Sequence, residues 1–274
     1  MTPRTLVAPV VAAAVVLVAT VAGSSPAARF HGRGGDLDLL ASAHPTGAQQ
    51  LVADQAYDVQ ARWRGTDVAA DTGALTSSTC DSCSGESVSL HVVYADRAGR
   101  ARLDNVADAW VQECRSCVAT ALSVQIVVLR GRPTTVPNNR AVSTTAACNG
   151  CSAAALAFQV VLVDDDAVPM SDADLDELRA WVEVQATDLR TSVLGPFGTL
   201  PVPVPDPTPT LEPTPTTEPT PTTEPTPTPA PPLGTRTSDR RARRDAASAL
   251  AGLQMLLTNA LDARAVATDV EVSR

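Results

Sequence analysis

All six cysteines of this 274-residue chain lie in three Cys-x-x-Cys pairs, and the first cysteines of successive pairs are 34 residues apart both times. The pairs are Cys80/Cys83, Cys114/Cys117 and Cys148/Cys151. Two equal separations indicate an internal repeat, because unrelated motifs would not keep a common period. The chain therefore consists, over this region, of equivalent units that pack side by side.

Residues other than cysteine recur at the same period. Asn105 and Asn139 each lie nine residues before the first cysteine of a pair. Gln125 and Gln159 each lie eight residues after the second cysteine and precede a run of Val, Ile or Leu. At the matching positions the first copy has Asp71 and His91, so that copy is degenerate. We interpret Gln125 and Gln159 as a side-chain ladder across a sheet rather than as ligand-binding residues.

The residues that follow each pair alternate between bulky and small side chains. In the second copy the bulky set is Leu122, Val124, Ile126 and Val128, and the small set is Ala119, Ala121, Ser123 and Gln125. A period of two predicts a strand with a small face that packs closely on a neighbour. The segment before each pair also has the pattern of an extended strand, so each repeat is predicted as strand, Cys-x-x-Cys turn, strand.

This pattern predicts a mainly β (α+β) fold. The first expectation is three repeats of about 34 residues in an antiparallel sheet or sandwich, with each Cys-x-x-Cys turn closing a hairpin. A β-solenoid with one repeat per coil is the second possibility. Helical repeats are third, since the period is two rather than 3.6.

Composition divides the rest of the chain. An apolar stretch after Arg4 and a small-residue segment ending at Ala28 predict a signal peptide, or an uncleaved signal anchor. Fourteen prolines between Pro201 and Pro232 predict an extended spacer, and an apolar stripe after Ser171 predicts a capped amphipathic helix. The predicted layout is 1–28 signal peptide, 29–50 disordered, 51–195 repeat domain with its helix, 196–238 Pro/Thr-rich spacer, and 239–274 helical tail.

A Cys-x-x-Cys pair can form a local disulfide, contribute two thiolates to a zinc site, or carry out thiol–disulfide exchange. We expect structural disulfides at all six cysteines, because a catalyst requires one reactive pair and not three equivalent ones. Disulfides persist outside the cytoplasm, which agrees with the predicted leader. A redox or zinc-binding protein is the alternative.

Other polar groups give weaker indications. His31, His44 and His91 have no metal-ligand spacing, and Asp164–Asp166 is better interpreted as a solvated turn than as a cation site. The net charge of −9 argues against nucleic-acid binding. The segment Arg240–Arg244 contains four arginines that could contact an anionic surface peripherally. We predict no cofactor and no resident metal.

The pattern Asn-x-Ala, Cys-x-x-Cys and Ala-Leu-x-x-Gln resembles the tandem paired-cysteine repeats of actinobacterial exported proteins, most of them uncharacterised. The matching segments lie between Asn105 and Val193, and include Cys148-Asn149-Gly150-Cys151. Some of those proteins carry a zinc metalloprotease label, but no metalloprotease motif occurs in this sequence. The resemblance implies an exported module built from repeats. We therefore expect a secreted or envelope-attached, non-enzymatic structural or interaction protein whose partner is a protein or an envelope polymer.

Overall fold

A computed structural model describes residues 36–62, 67–131, 133–164, 168–194, 235–261 and 263–274 of the chain. The predicted signal peptide, most of the predicted spacer and His31 lie outside these residues. The elements are β1 Asp36–Ala43, β2 Leu51–Arg62, β3 Asp67–Ser78, β4 Ser84–Asp96, β5 Arg100–Gln112, β6 Val118–Arg130, β7 Thr134–Ala146, β8 Ser152–Val163, α1 Asp172–Leu194, α2 Thr235–Ala260 and β9 Arg264–Ser273.

The strands form two sheets, and the chain crosses from one sheet to the other at each turn between consecutive strands from β1 to β8. The first sheet has the order β1-β3-β5-β7, and the second has the order β2-β4-β6-β8-β9. Neighbours among β1 to β8 are parallel, whereas β9 pairs with β8 in the antiparallel sense. The repeat region is therefore a two-sheet β-solenoid, with one strand in each sheet for every coil.

The predicted mainly β fold, with strand, Cys-x-x-Cys turn and strand in each repeat, is confirmed. The antiparallel pairing that we expected first is wrong. The two strands that flank a Cys-x-x-Cys turn belong to different sheets, and each pairs with its equivalent in the next coil. The reason is that the turn carries the chain across the thickness of the stack, and not back along the edge of its own strand.

The register of the sheets equals the repeat. Asn105 pairs with Asn139 and Gln125 pairs with Gln159, each at an offset of 34 residues. The first coil departs from this offset in its first strand, where Thr72 pairs with Asn105. The sequence alignment had placed Asp71 there. The difference arises because the segment between β3 and Cys80 is one residue shorter than its counterparts.

The two faces of the second sheet pack against different partners, as the alternation predicted. The small residues of β6 and β8 face the first sheet and form an alanine-rich layer between the sheets. The bulky residues of β4, β6 and β8 face outward and are covered by α1 and α2. Small side chains allow the two sheets to approach closely, and the helices supply the larger apolar area that the alanines cannot bury.

Helix α1 docks on this outer face through one apolar stripe. The Ser171 hydroxyl accepts a hydrogen bond from the Asp174 amide (3.2 Å), and the Asp174 carboxylate accepts one from the Ser171 amide (3.1 Å). This is the predicted capping box. Trp181 packs edge-to-face on Phe158 of β8 with ring centroids 5.2 Å apart. Helix α2 adds Leu253 and Leu257, which are fully buried in the same cluster.

Two predicted boundaries are wrong. Part of 29–50 was expected to be disordered, but β1 lies within it and pairs with β3, and Ala41 and Ala43 are fully buried. The tail 239–274 was expected to be helical, but its last part is β9. In both segments a short alternating pattern finds an open sheet edge, and pairing at that edge satisfies the backbone polar groups that would otherwise remain exposed.

Candidate functional site at the stacked Cys-x-x-Cys turns

The three Cys-x-x-Cys turns connect β3 to β4, β5 to β6 and β7 to β8, so they lie one above another at one edge of the solenoid. Backbone hydrogen bonds join them directly. The Ser82 amide donates to the Arg115 carbonyl (2.8 Å), and the Ser116 amide donates to the Asn149 carbonyl (2.9 Å). The stack is therefore ordered by main-chain contacts as well as by sulfur.

The turns share a backbone conformation that requires positive φ. The residue before the second cysteine is left-handed in all three turns: Ser82 (58°), Ser116 (53°) and Gly150 (68°). Glu113 and Ala147, which precede the first cysteine of the later turns, are also left-handed. The shorter first turn lacks this additional left-handed residue, which accounts for its register difference.

Each cysteine pair is joined by a disulfide within its own turn. The Cα–Cα separations are 5.4 Å for Cys80–Cys83, 6.2 Å for Cys114–Cys117 and 5.9 Å for Cys148–Cys151. These separations lie inside the range that a disulfide spans. Every cysteine is thus paired with its partner three residues away, and no bridge links two coils.

The sulfur atoms of the second and third turns come together. Cys114 Sγ lies 3.6 Å from Cys148 Sγ and 3.9 Å from Cys151 Sγ. With Cys117 included, the four sulfurs all lie within 4.8 Å of one another. Cys114 and Cys117 are buried, whereas Cys148 and Cys151 are half-buried. The sequence did not predict this grouping, although a 34-residue coil places equivalent cysteines on adjacent strands.

A second polar feature runs between the sheets. Asn105 is fully buried and donates from Nδ2 to Asn139 Oδ1 (2.8 Å), while Gln159 Nε2 donates to Gln125 Oε1 (2.8 Å). The repeat-defining residues Asn105, Asn139, Gln125 and Gln159 therefore form two side-chain ladders, one on each sheet. Such ladders satisfy polar groups that would be costly to bury alone.

The ladder of the second sheet ends in the first coil at His91, which is fully buried and in register with Gln125. Its Nδ1 lies 2.9 Å from the Thr72 hydroxyl oxygen, and its Nε2 has no hydrogen-bond partner among the described residues. Burial lowers the pKa of His91 to about 4, and the carboxylate of Asp58 opposes that effect. His91 is thus neutral at physiological pH.

The remaining predicted positions are separate from the turns. His44 is exposed and lies 2.8 Å from the Ser77 hydroxyl oxygen. Of the predicted acidic turn, Asp164 follows β8 and is half-buried, whereas the next two aspartates lie outside the described residues. The segment Arg240–Arg244 is on α2, where Arg241 pairs with Asp245 at 3.7 Å.

Among the described residues, neither helix is long and apolar enough to cross a membrane. Comparisons with known protein families, characterised proteins and solved structures gave no match for this chain.

Proposed function

We propose that this chain is an extracytoplasmic, non-catalytic β-solenoid module that presents the outer face of its four-stranded sheet to a protein or an envelope polymer. The observation that carries the proposal is the stack of three cross-linked turns at one edge. A disulfide in each coil has its use where thiols are oxidised, which is outside the cytoplasm. The predicted leader is consistent with export to that compartment.

The interior supports a mechanical rather than a chemical role. The space between the sheets is filled by alanine side chains and by the asparagine and glutamine ladders. Each ladder residue bonds its equivalent in the next coil, so the coils are locked in register. A closely packed interior of this kind transmits force and holds shape. We therefore assign it to the scaffold and not to a substrate site.

The outer face of the first sheet is the surface that we assign to a partner. The helices cover the second sheet, while Trp110 and Val142 are 43% and 46% exposed on the first. These residues lie on neighbouring strands, β5 and β7, at adjacent register positions. Beside them Arg140 pairs with Asp104 at 3.0 Å. A flat face that combines an exposed indole with ordered charges suits a polymer or an extended protein surface.

Export is tested by fusing residues 1–50 to a reporter enzyme that folds only in an oxidising compartment. We expect activity with the leader and none when 1–28 is deleted. The disulfides are tested by peptide mapping of the non-reduced protein, which should recover the three within-pair bridges. Free thiols in the native protein, or rapid reduction of one pair by a protein dithiol, would favour the redox alternative.

The binding face is tested by pull-down of the purified protein on isolated cell envelopes. Trp110→Ala should weaken retention by about tenfold, since a buried aromatic anchor contributes about 1–2 kcal/mol or more at an interface. Met255→Ala is the matched control, because Met255 is 68% exposed on α2 and lies away from that sheet. Equal retention of both variants would refute the assignment of the face.

A further inference from the structure

The sulfur atoms of the second and third coils have the spacing of a tetrahedral thiolate site. Zinc binds cysteine sulfur at about 2.3 Å, so the edges of a tetrahedron of four sulfurs measure about 3.8 Å. The two distances between coils are 3.6 Å for Cys114–Cys148 and 3.9 Å for Cys114–Cys151. An ion at the centre of the group would therefore contact all four cysteines without any movement of one coil against the other.

We propose that Cys114, Cys117, Cys148 and Cys151 bind one Zn²⁺ ion when their two disulfides are reduced. Each disulfide accepts two electrons and two protons from a dithiol, which itself becomes a disulfide, and yields two thiols. The four thiols then lose four protons as Zn²⁺ binds, leaving a ZnS₄ centre with a net charge of −2. The same four residues thus hold the turns together by disulfides in one redox state and by metal in the other.

The backbone around the site does not depend on the disulfides for its position. The Ser116 amide donates to the Asn149 carbonyl, and the Ser152 amide donates to the Cys117 carbonyl, each at 2.9 Å. These bonds continue the parallel ladders through the turns. After reduction, the two sulfurs of a pair need only rotate about their Cα–Cβ bonds to separate, so the fold can supply a preformed site.

The surroundings favour zinc over harder cations. Four sulfur ligands select soft or borderline metals, and a closed set of four without a water position is typical of structural zinc. Cys114 and Cys117 are buried, and Cys148 and Cys151 are half-buried beside a shallow depression lined by Glu113 and other turn residues. The ion can therefore enter from the third coil and is enclosed on the side of the second.

The first pair lies outside this group. Its sulfurs are not among the four that lie within 4.8 Å of one another, and Cys117 Sγ lies 3.0 Å from the Cys80 carbonyl oxygen rather than against a sulfur. We therefore expect one ion per chain and two thiols left over. This inference concerns the reduced protein, so its failure would leave the proposed disulfide scaffold intact.

The experiment reduces the full chain with a phosphine under nitrogen, removes metal, and titrates it with Co²⁺, whose thiolate complexes absorb in the visible when tetrahedral. We expect saturation at one Co²⁺ per chain and displacement by one Zn²⁺. Alkylation of the zinc-loaded protein should modify Cys80 and Cys83 and leave the other four cysteines protected. Absence of binding, or protection of Cys80 and Cys83, would overturn the proposal.

Two double variants complete the test. Cys148→Ser with Cys151→Ser should lower the affinity for Co²⁺ by at least a hundredfold, whereas Cys80→Ser with Cys83→Ser should leave it unchanged. Circular dichroism checks that both variants retain their β structure. If the first variant fails to fold, the alkylation pattern of the unmodified chain decides the question alone. Equal loss of binding in both variants would contradict a site confined to the second and third coils.

Discussion

His91 should make the stability of the protein fall between neutral pH and pH 5. The side chain is fully buried, and its pKa is lowered by burial from 6.5 to about 4. The unfolded chain therefore binds a proton in a pH range where the folded chain does not. Because the folded pKa is the lower one, the stability is fully present above pH 6.5 and is lost as the pH falls toward 4.

The magnitude follows from the two pKa values. A difference of one pH unit corresponds to about 1.4 kcal/mol, so the whole effect is about 3 kcal/mol below pH 4 and about 2 kcal/mol at pH 5. Replacement of His91 by Gln removes the titrating group and supplies the residue that Gln125 and Gln159 provide in the later coils. We expect His91→Gln to change the stability at pH 7 by less than about 1 kcal/mol, since it substitutes one buried polar side chain for another in a ladder position.

The assay is urea unfolding of both proteins at pH 7 and pH 5, followed by circular dichroism. The unmodified protein should lose about 2 kcal/mol more than His91→Gln over this interval. Carboxylates and the exposed His44 titrate in both proteins, so their contributions cancel in the difference. Parallel losses in the two proteins would refute the reasoning, because they would show that His91 takes up its proton without cost to the folded state.

Three further predictions concern packing. Gly85→Ala should destabilise the protein by about 1–3 kcal/mol in urea unfolding, because the added Cβ would lie 2.6 Å from Thr76 Cγ2 between the sheets; Gly73→Ala, whose Cβ would meet only the flexible end of a leucine, should cost less. Asn105→Ala should cost about 2–4 kcal/mol by the same measurement, since it leaves several buried hydrogen-bonding groups without their partner. Deletion of residues 235–274 should cause self-association, detectable by size-exclusion chromatography, because it uncovers the edge of β8 and part of the helix-covered core; a monomeric product would contradict the docking of the tail.

Much of the fold could be predicted from the sequence because the repeat is written in it. The bulky and small faces of β6 and β8, the capped helix α1 and the interior ladder of Gln125 and Gln159 all follow from periods of two, 3.6 and 34 residues. Each of these features depends on residues that are close along the chain or separated by one repeat. The strands β1 and β9 were missed because each is short and is stabilised by pairing at a sheet edge, and single-sequence patterns carry little information about such tertiary pairing.

The direction of strand pairing could not be predicted in the same way. A strand, a four-residue turn and a second strand describe a hairpin and a solenoid coil equally well, since both require the turn to reverse the chain. The difference lies in the residues beside the cysteines. Left-handed φ values at Glu113 and Ala147 direct the chain into the opposite sheet, and neither residue is a glycine that would have marked the position.

The grouping of the four sulfurs follows from the same geometry. In a hairpin sheet the Cys-x-x-Cys turns of successive repeats would be separated by the width of two strands, about 10 Å, and each pair would be isolated. In a solenoid the equivalent turns are separated by one strand spacing, about 4.8 Å, which brings the sulfurs of adjacent coils into contact. Parallel stacking in register thus accounts both for the hydrogen bond between Asn105 and Asn139 and for the contact between Cys114 and Cys148. The chemistry available to the cysteines is a consequence of the coil and could not be inferred from the motif by itself.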